Sequence, residues 1–504
     1  MTIELMDTTL RDGEQTTGVS YTDSEKLNIA RVLLSEVKVD RIEVASARVS
    51  EGEFRSVKAL TDWARKNNYN DKIEVLGFID GKISLEWIQD AGAEVVNLLC
   101  KGSEKHVREQ LRKSPEEHVE GIKQSIKYAE EMGISVNIYL EDWSNGMKNS
   151  RDYVFFMIDS LRKENIKRIM LPDTLGIMNP EDTYEACSAM AERYPEIHFD
   201  FHPHNDYDLA AGNVYYAVKA GMKGIHTTVN GLGERAGNVP LSSVIAVMKD
   251  HLKVETAVDE SKLNKISKLV ESFSGIRIPL NKPVIGDYVF TQVSGIHADG
   301  DSKNELYFND LMPERFGRER QYAMGKMSGK ATIKKNIEDL GIELDPDSMK
   351  KLTNHIIELG DKKEFVTKED LPYIISDFFQ SKSIEEKIKI KNYNLSVAHG
   401  LRSVATVKIE IHGKEYEVTS SGDGQYDAFM KAIWKIYNDL GIEHPVLTDY
   451  VVTIPPGGRT DALVETIITW LYNEKEIKTR GLDPDQTVAA IKATMKMLNI
   501  IERK

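Results

Sequence analysis

The first 230 residues repeat one rhythm eight times, and no other feature of the chain restricts its fold so tightly. Short runs rich in Val, Ile and Leu alternate with longer segments whose apolar residues recur at i, i+3 and i+4. The runs begin at Ile3–Asp7, Arg41–Ala45, Ile73–Phe78 and Glu94–Leu99. They continue at Val136–Glu141, Arg168–Pro172, His198–His202 and Gly224–Val229. Ser24–Leu34 and Val119–Met132 show the helical periodicity between them. Several runs are apolar throughout, as suits parallel strands covered on both faces. Eight β and α units in this length predict an α/β chain built on a (β/α)8 barrel, with a doubly wound open sheet as the alternative.

At 504 residues the chain is too long for one core. The rhythm stops near residue 262, so a barrel domain is expected over 1–262. A mainly helical connector follows over 263–387, with helical patterns at Ala331–Leu340 and Asp347–Leu359. From 388 to 504 a new alternation of strands and helices predicts a βαβ-type, α+β domain. A net charge of −14 argues against nucleic acid as a partner, since phosphate binding needs clustered Lys and Arg. No apolar run reaches the roughly 20 residues that span a bilayer, and the N-terminus has no signal-peptide pattern. Cys100 and Cys187 form no CxxC pair, so a reducing, cytoplasmic setting is expected.

A barrel carries its chemistry at the C-terminal ends of its strands. Arg11 and Asp12 follow the first run, Glu141 the fifth and Thr174 the sixth; His202 and His204 stand at the seventh, and Asn230–Asn238 follow the eighth. Residues i and i+2 of a strand share a face, so His202 and His204 can reach one ion. Asp12 supplies a carboxylate, and Asn238 a further oxygen. This oxygen- and nitrogen-rich set suits Zn, Mn or Mg with positions left open for a chelating substrate. Arg11 is either a barrel-mouth ion pair or a stabiliser of an oxygen that gains charge. The Gly231-Leu232-Gly233 loop lacks dinucleotide-binding spacing but can let backbone approach a phosphate-bearing ligand. His297 sits in the connector with Tyr307 close by in sequence.

Four motifs in order, DTTLRDGEQ, LPDTLG, HPHND and NGLGERAGN, resemble the signature of the metal-dependent Claisen-condensing TIM-barrel family. Its members include 2-isopropylmalate, homocitrate and citramalate synthases, and 3-hydroxy-3-methylglutaryl-CoA lyases share its metal site. The C-terminal segments GDGQYDAFMKAI, IPPGGRTDALVET and LDPDQTVAA resemble the family's allosteric domain. NLLCKGS, YLEDWSNG and VFTQVSGIHADGD resemble its citramalate synthase branch.

The resemblance implies an acyltransferase that converts the acyl group to alkyl on transfer. Acetyl-CoA condenses with pyruvate to give (R)-citramalate and CoA, under feedback control in isoleucine biosynthesis. The alternatives are 2-isopropylmalate synthase, acting on 2-oxoisovalerate in leucine biosynthesis, and a non-catalytic metabolite sensor. The implied metal ligands are Asp12, His202 and His204, with Asn238 beside the divalent ion. Arg11 is the catalytic arginine and Thr174 the contact to the keto-acid carboxylate. The base is Glu141, alone or with Arg11, or else His297 tuned by Tyr307, a pair implied to reach the partner subunit of a homodimer. Leu76, Leu99 and Tyr139 are expected to wall the keto-acid pocket, where crowding favours pyruvate. Tyr426, Asp427, Tyr450 and Pro484 match the effector region, and isoleucine is the expected effector.

Overall fold

In a computed structural model of the chain, all eight apolar runs are strands. The structure describes residues 3–301, 303, 306–338, 342, 344–361, 366, 371, 374–375, 387–453, 464–473 and 475–502. Strands β1 (Glu4–Asp7), β2 (Arg41–Ser46), β3 (Ile73–Gly77), β4 (Val95–Lys101), β5 (Ser135–Glu141), β6 (Arg168–Asp173), β7 (Phe199–Pro203) and β8 (Gly224–Thr227) pair in chain order. All pairs are parallel, and β8 pairs with β1 through Leu5 opposite Ile225, which closes the ring. The expectation of a closed barrel over an open sheet holds.

Period-two alternation divides each strand between two environments. Leu5, Ile42, Val75, Leu98, Ile138, Leu171, Phe201 and Ile225 belong to the large core shared with the surrounding helices. Their neighbours Met6, Glu43, Glu74, Asn97, Tyr139, Met170, Asp200, His202 and His226 point into the ring. Only there can Arg41 on β2 reach Asp200 on β7 (2.6 Å), or Asn97 on β4 reach Glu43 on β2 (2.8 Å). Local signals start the helices where they stand. Thr22 and Glu25 form a reciprocal cap before the helix Asp23–Arg31. Ser114 and Glu117 do the same before Pro115–Glu131, with proline at its first position.

The chain divides into two compact units, 1–292 with 296–322, and 293–295 with 323–504. In the first, the two-residue strands β9 (Thr291–Gln292) and β10 (Gln321–Tyr322) pair. In the second, the helices Lys330–Glu338 and Pro346–Asp361 enclose a small core of Ile333, Ile337, Leu352 and Ile356.

The C-terminal region is α+β, as expected, but it is not βαβ. Strands β11 (Ile388–Ser396), β12 (Ser403–Ile411) and β13 (Lys414–Gly422) form an antiparallel meander followed by the helix Gln425–Asp439. Strands β14 (Val446–Thr453), β15 (Val464–Tyr472) and β16 (Lys475–Asp483), then the helix Gln486–Ile501, repeat that order. The connections decide the pairing. His412 and Gly413 both take positive φ (48° and 76°) in the two-residue turn joining β12 to β13. A turn of that kind folds a strand back on its predecessor, whereas a parallel crossover needs a dozen residues or more. Alternate residues of β12 (Ala405, Val407, Ile409) pack with Phe429 and Ile433 in the core of this region.

Candidate metal centre

β1 ends at Asp7, and the turn after it is held by Asp12 N–H donating to the Thr8 carbonyl (2.8 Å). That turn presents Asp12 to the inward edge of β7. Asp12 Oδ2 lies 3.1 Å from His202 Nε2 and 3.7 Å from His204 Nε2, and the two imidazole nitrogens are 3.3 Å apart. One ligand atom from each residue falls within 4.8 Å of the other two, and all three residues are buried. Asn238 stands beside His204 through an antiparallel bridge. Its amide donates to the Leu232 carbonyl (3.2 Å), while its Oδ1 is buried without a hydrogen-bond partner among the described residues. Gly237 makes this loop possible: at φ +80°, a Cβ there would lie 2.0 Å from the Gly231 carbonyl oxygen.

The electrostatics select the forms that ligate a cation. Burial would raise the Asp12 carboxyl, but Arg11 and the two imidazoles outweigh it and hold the group far below the usual carboxylate range. Burial pushes His202 down and His204 down to about 4, so both rings are neutral near pH 7. An ionised carboxylate and two neutral imidazoles thus converge, and among the described residues no proton donor satisfies Asp12 Oδ1. A divalent ion fits this donor set.

Arg11 closes one side. Its Nε donates to Glu43 Oε2 (2.6 Å), its Nη1 lies 3.5 Å from Asp12 Oδ2, and its guanidinium sits 5.7 Å from the Tyr139 ring. Glu43 is braced in turn by Thr8 and Asn97, and Asn97 by Asn137. Leu76, Tyr139, Met6 and Met170 form a small apolar cluster of their own, with Leu99 packed against it. Tyr139 is 5.5 Å, ring to ring, from His202, which places this cluster beside the candidate ligands. The Thr174 hydroxyl accepts from the Asp142 N–H (2.8 Å), so its own proton is free to donate elsewhere. Behind the β8 loop lies a cavity of ≈ 260 Å³ lined in part by Thr16, Gly233, Arg277 and Lys282.

Among the described residues Arg11 pairs with Glu43 and Asp12, and not with Glu141. Glu141 is ion-paired with Lys101 at the ends of β5 and β4. Lys101 is held by its backbone on both sides: its N–H donates to His118 Nε2 (3.1 Å), and its carbonyl accepts from Tyr153 (2.7 Å). Burial pushes His118 down to about 4, whereas the unfolded chain takes up that proton near 6.5. Between those values the unfolded state binds more protons, so stability rises with pH and is lost on acidification. The contribution is on the order of 3 kcal/mol. Urea unfolding from pH 4 to 6.5 is expected to show a shallower pH slope in His118→Gln than in the wild type.

His297 and Tyr307 lie with their rings 4.2 Å apart, and both are exposed. Among the described residues, no contact joins them to the Asp12 group of the same chain. Ile296 and Leu306 beside them are also exposed (72% and 67%). In the C-terminal region the Tyr426 and Tyr450 rings are 5.4 Å apart, and the Tyr426 hydroxyl shares a hydrogen bond with Thr494 (2.6 Å). Asp427 is turned toward its own loop, accepting from Asp423 N–H and Lys431. Pro484 is exposed in the turn before the last helix. The IPPGGRTD segment, 454–461, lies outside the described residues.

Sequence reasoning missed Glu43, Asn97, Lys101, Asp200 and His226. Their signal was a polar residue at every second position of an apolar strand, which marks an inward face once the sheet closes.

Fold and site together define a (β/α)8 barrel with a candidate metal centre at the strand ends. The chain belongs to the HMGL-like family, whose model matches residues 2–270. Residues 284–364 match the homocitrate synthase post-HMGL domain-like model, and residues 365–502 match the LeuA allosteric (dimerisation) domain. An (R)-citramalate synthase of Methanocaldococcus jannaschii is 31% identical over 504 residues, covering 99% of this chain and 100% of that protein. Two Methanopyrus kandleri proteins carry provisional names. One, named as an (R)-citramalate synthase, is 34% identical over 462 residues (92% of this chain, 88% of that protein). The other, named as a 2-isopropylmalate synthase, is 33% identical over 505 residues (100% and 99%). No helix among the described residues is long and apolar enough to cross a membrane.

Proposed function

We propose that the chain is a cytoplasmic, metal-dependent (R)-citramalate synthase that joins acetyl-CoA to pyruvate and hydrolyses the thioester. The observation that carries this reading is the convergence of Asp12, His202 and His204 beside Arg11 and a closed apolar wall. Asp12, His202, His204 and Asn238 would hold a divalent ion, which when bound would supply Lewis-acid polarisation of the keto-acid carbonyl. The Thr174 hydroxyl donates to the keto-acid carboxylate. Arg11, fixed by Glu43, donates to the oxygen that gains charge as the carbon–carbon bond forms. Glu141, released from Lys101, is one candidate for removing the methyl proton of acetyl-CoA; His297 with Tyr307, offered to a second copy in a homodimer, is the other. The cavity behind the β8 loop, with Lys282 and Arg277, suits the phosphates of the CoA.

A second reading, 2-isopropylmalate synthase, has support in the 33% identical relative. Size separates the two, because pyruvate presents a methyl group where 2-oxoisovalerate presents an isopropyl group. Release of CoA from acetyl-CoA is expected to be fastest with pyruvate among pyruvate, 2-oxobutyrate, 2-oxoisovalerate and 2-oxoglutarate. A preference for 2-oxoisovalerate would hand the function to the second reading. Leu76→Ala is expected to raise activity on 2-oxoisovalerate relative to pyruvate by roughly 10-fold, since each methylene is worth ~1–3 kcal/mol of discrimination. An unchanged ratio would remove Leu76 from the pocket wall.

The C-terminal region is proposed to bind isoleucine near Tyr426, Asp427, Tyr450 and Pro484. Calorimetry is expected to detect isoleucine binding to the full chain and its loss in Tyr426→Ala. Identical titrations of the two proteins would count against this placement.

A further inference from the structure

The strand residues behind the candidate ligands form a line of buried groups that the mechanism above does not use. His226 lies on β8 with its Nδ1 3.3 Å from His202 Nδ1 and its Nε2 3.1 Å from Asp200 Oδ2. Asp200 is anchored by Arg41 Nη2 (2.6 Å) and His198 Nε2 (3.1 Å), with Arg168 3.6 Å away. His202, His226 and Asp200 are each no more than 2% exposed.

We propose that His226 and Asp200 are positioning residues for the cation, fixing His202 in the tautomer whose Nε2 lone pair faces Asp12 and His204. The inference rests on the reading of Asp12, His202 and His204 as a metal centre. The assignment follows from donors and acceptors once a cation, rather than a proton, lies between Asp12 Oδ2 and His202 Nε2. Asp200 is ionised between two guanidinium groups and can only accept, so His226 carries its proton on Nε2. A neutral His226 then has a bare Nδ1, which accepts from His202 Nδ1–H. The other nitrogen of His202, Nε2, is left without a proton, 3.1 Å from Asp12 Oδ2. The reverse order would set two lone pairs against each other at the 3.1 Å contact between His226 and Asp200. Both rings are buried away from water, which favours the uncharged form of each. Arg41 and Asp200 thereby reach the cation through two imidazoles, a relay that sets ring orientation as well as tautomer.

The test is Mn²⁺ titration of the metal-free full chain by calorimetry, with unfolding temperature measured alongside. His226→Leu removes the acceptor, so His202 is free to protonate Nε2. Its Mn²⁺ affinity is expected to fall roughly 10- to 100-fold. His226→Gln retains an amide oxygen as acceptor and is expected to recover most of that loss, whatever its unfolding temperature. Leu and Gln variants that lose affinity equally, or a Leu variant with wild-type affinity, overturn the positioning role. Should the variants fail to fold, nitrogen shifts of ¹⁵N-histidine in the Mg²⁺-loaded wild type decide the matter. His202 protonated on Nδ1 and His226 on Nε2 support the proposal, and His202 protonated on Nε2 overturns it. A wild type that binds no Mn²⁺ at all sinks the metal centre itself, a different failure from Mn²⁺ binding that is indifferent to His226.

Discussion

Asp12→Asn is expected to lower turnover by about 10³-fold and to abolish stoichiometric divalent-metal binding. Asparagine matches the shape of aspartate but has no charge, so the barrel mouth keeps its packing and loses its one anionic ligand. The metal then faces two neutral imidazoles and amide oxygens, a set too weak to hold it against water. Losing a Lewis acid worth several kcal/mol of transition-state stabilisation corresponds to a rate factor of this size. Arg11 retains Glu43 at 2.6 Å, so the fold does not inherit an unpaired buried cation. Metal content of the purified variant and CoA release with pyruvate are the two measurements. A variant with full metal content and wild-type turnover would leave the proposed chemistry without a centre.

The second large effect is expected at Arg11. Arg11→Lys should lower kcat by about 10²–10³-fold while metal content stays near one per chain. Arginine uses one edge of its fork on Glu43 and turns the other toward Asp12 and the mouth. Lysine offers a single point charge on a flexible stem and cannot hold both directions at once. Lysine is a cleaner probe than alanine. Arg11→Ala leaves Glu43 buried without its cation, and breaking a buried pair costs on the order of 3–5 kcal/mol of stability. The loss is expected mainly in kcat, with a smaller change in keto-acid KM, because the donated hydrogen bond strengthens as charge develops. Wild-type kcat in Arg11→Lys would confine Arg11 to bracing the first turn.

Much of the catalytic half was legible in order along the chain. Apolar runs marked the strands because a strand covered on both faces leaves almost no place for polar residues. Asp12, His202 and His204 were legible because barrel sites gather where strands end, and because an HxH pair puts two ligands on one face. The C-terminal region was read less well. Alternation there predicted strands but not their direction, which is set by the turn at His412-Gly413 that forces antiparallel pairing. Glu43, Asn97, Lys101, Asp200 and His226 escaped because a polar residue within a strand reads locally as facing solvent.

Periodicity, caps and strand-end chemistry are local properties, and from them the amino-acid order by itself determined eight strands, the helices between them and the turn that carries Arg11 and Asp12. Which polar side chains meet is a property of the closed ring. Arg41 and Asp200 stand 159 positions apart, and only closure of β8 onto β1 brings them to 2.6 Å. The tertiary structure alone decided that Arg11 belongs to Glu43 and Lys101 to Glu141, because burial removes the water that would otherwise satisfy each charge and leaves another charge as its available partner.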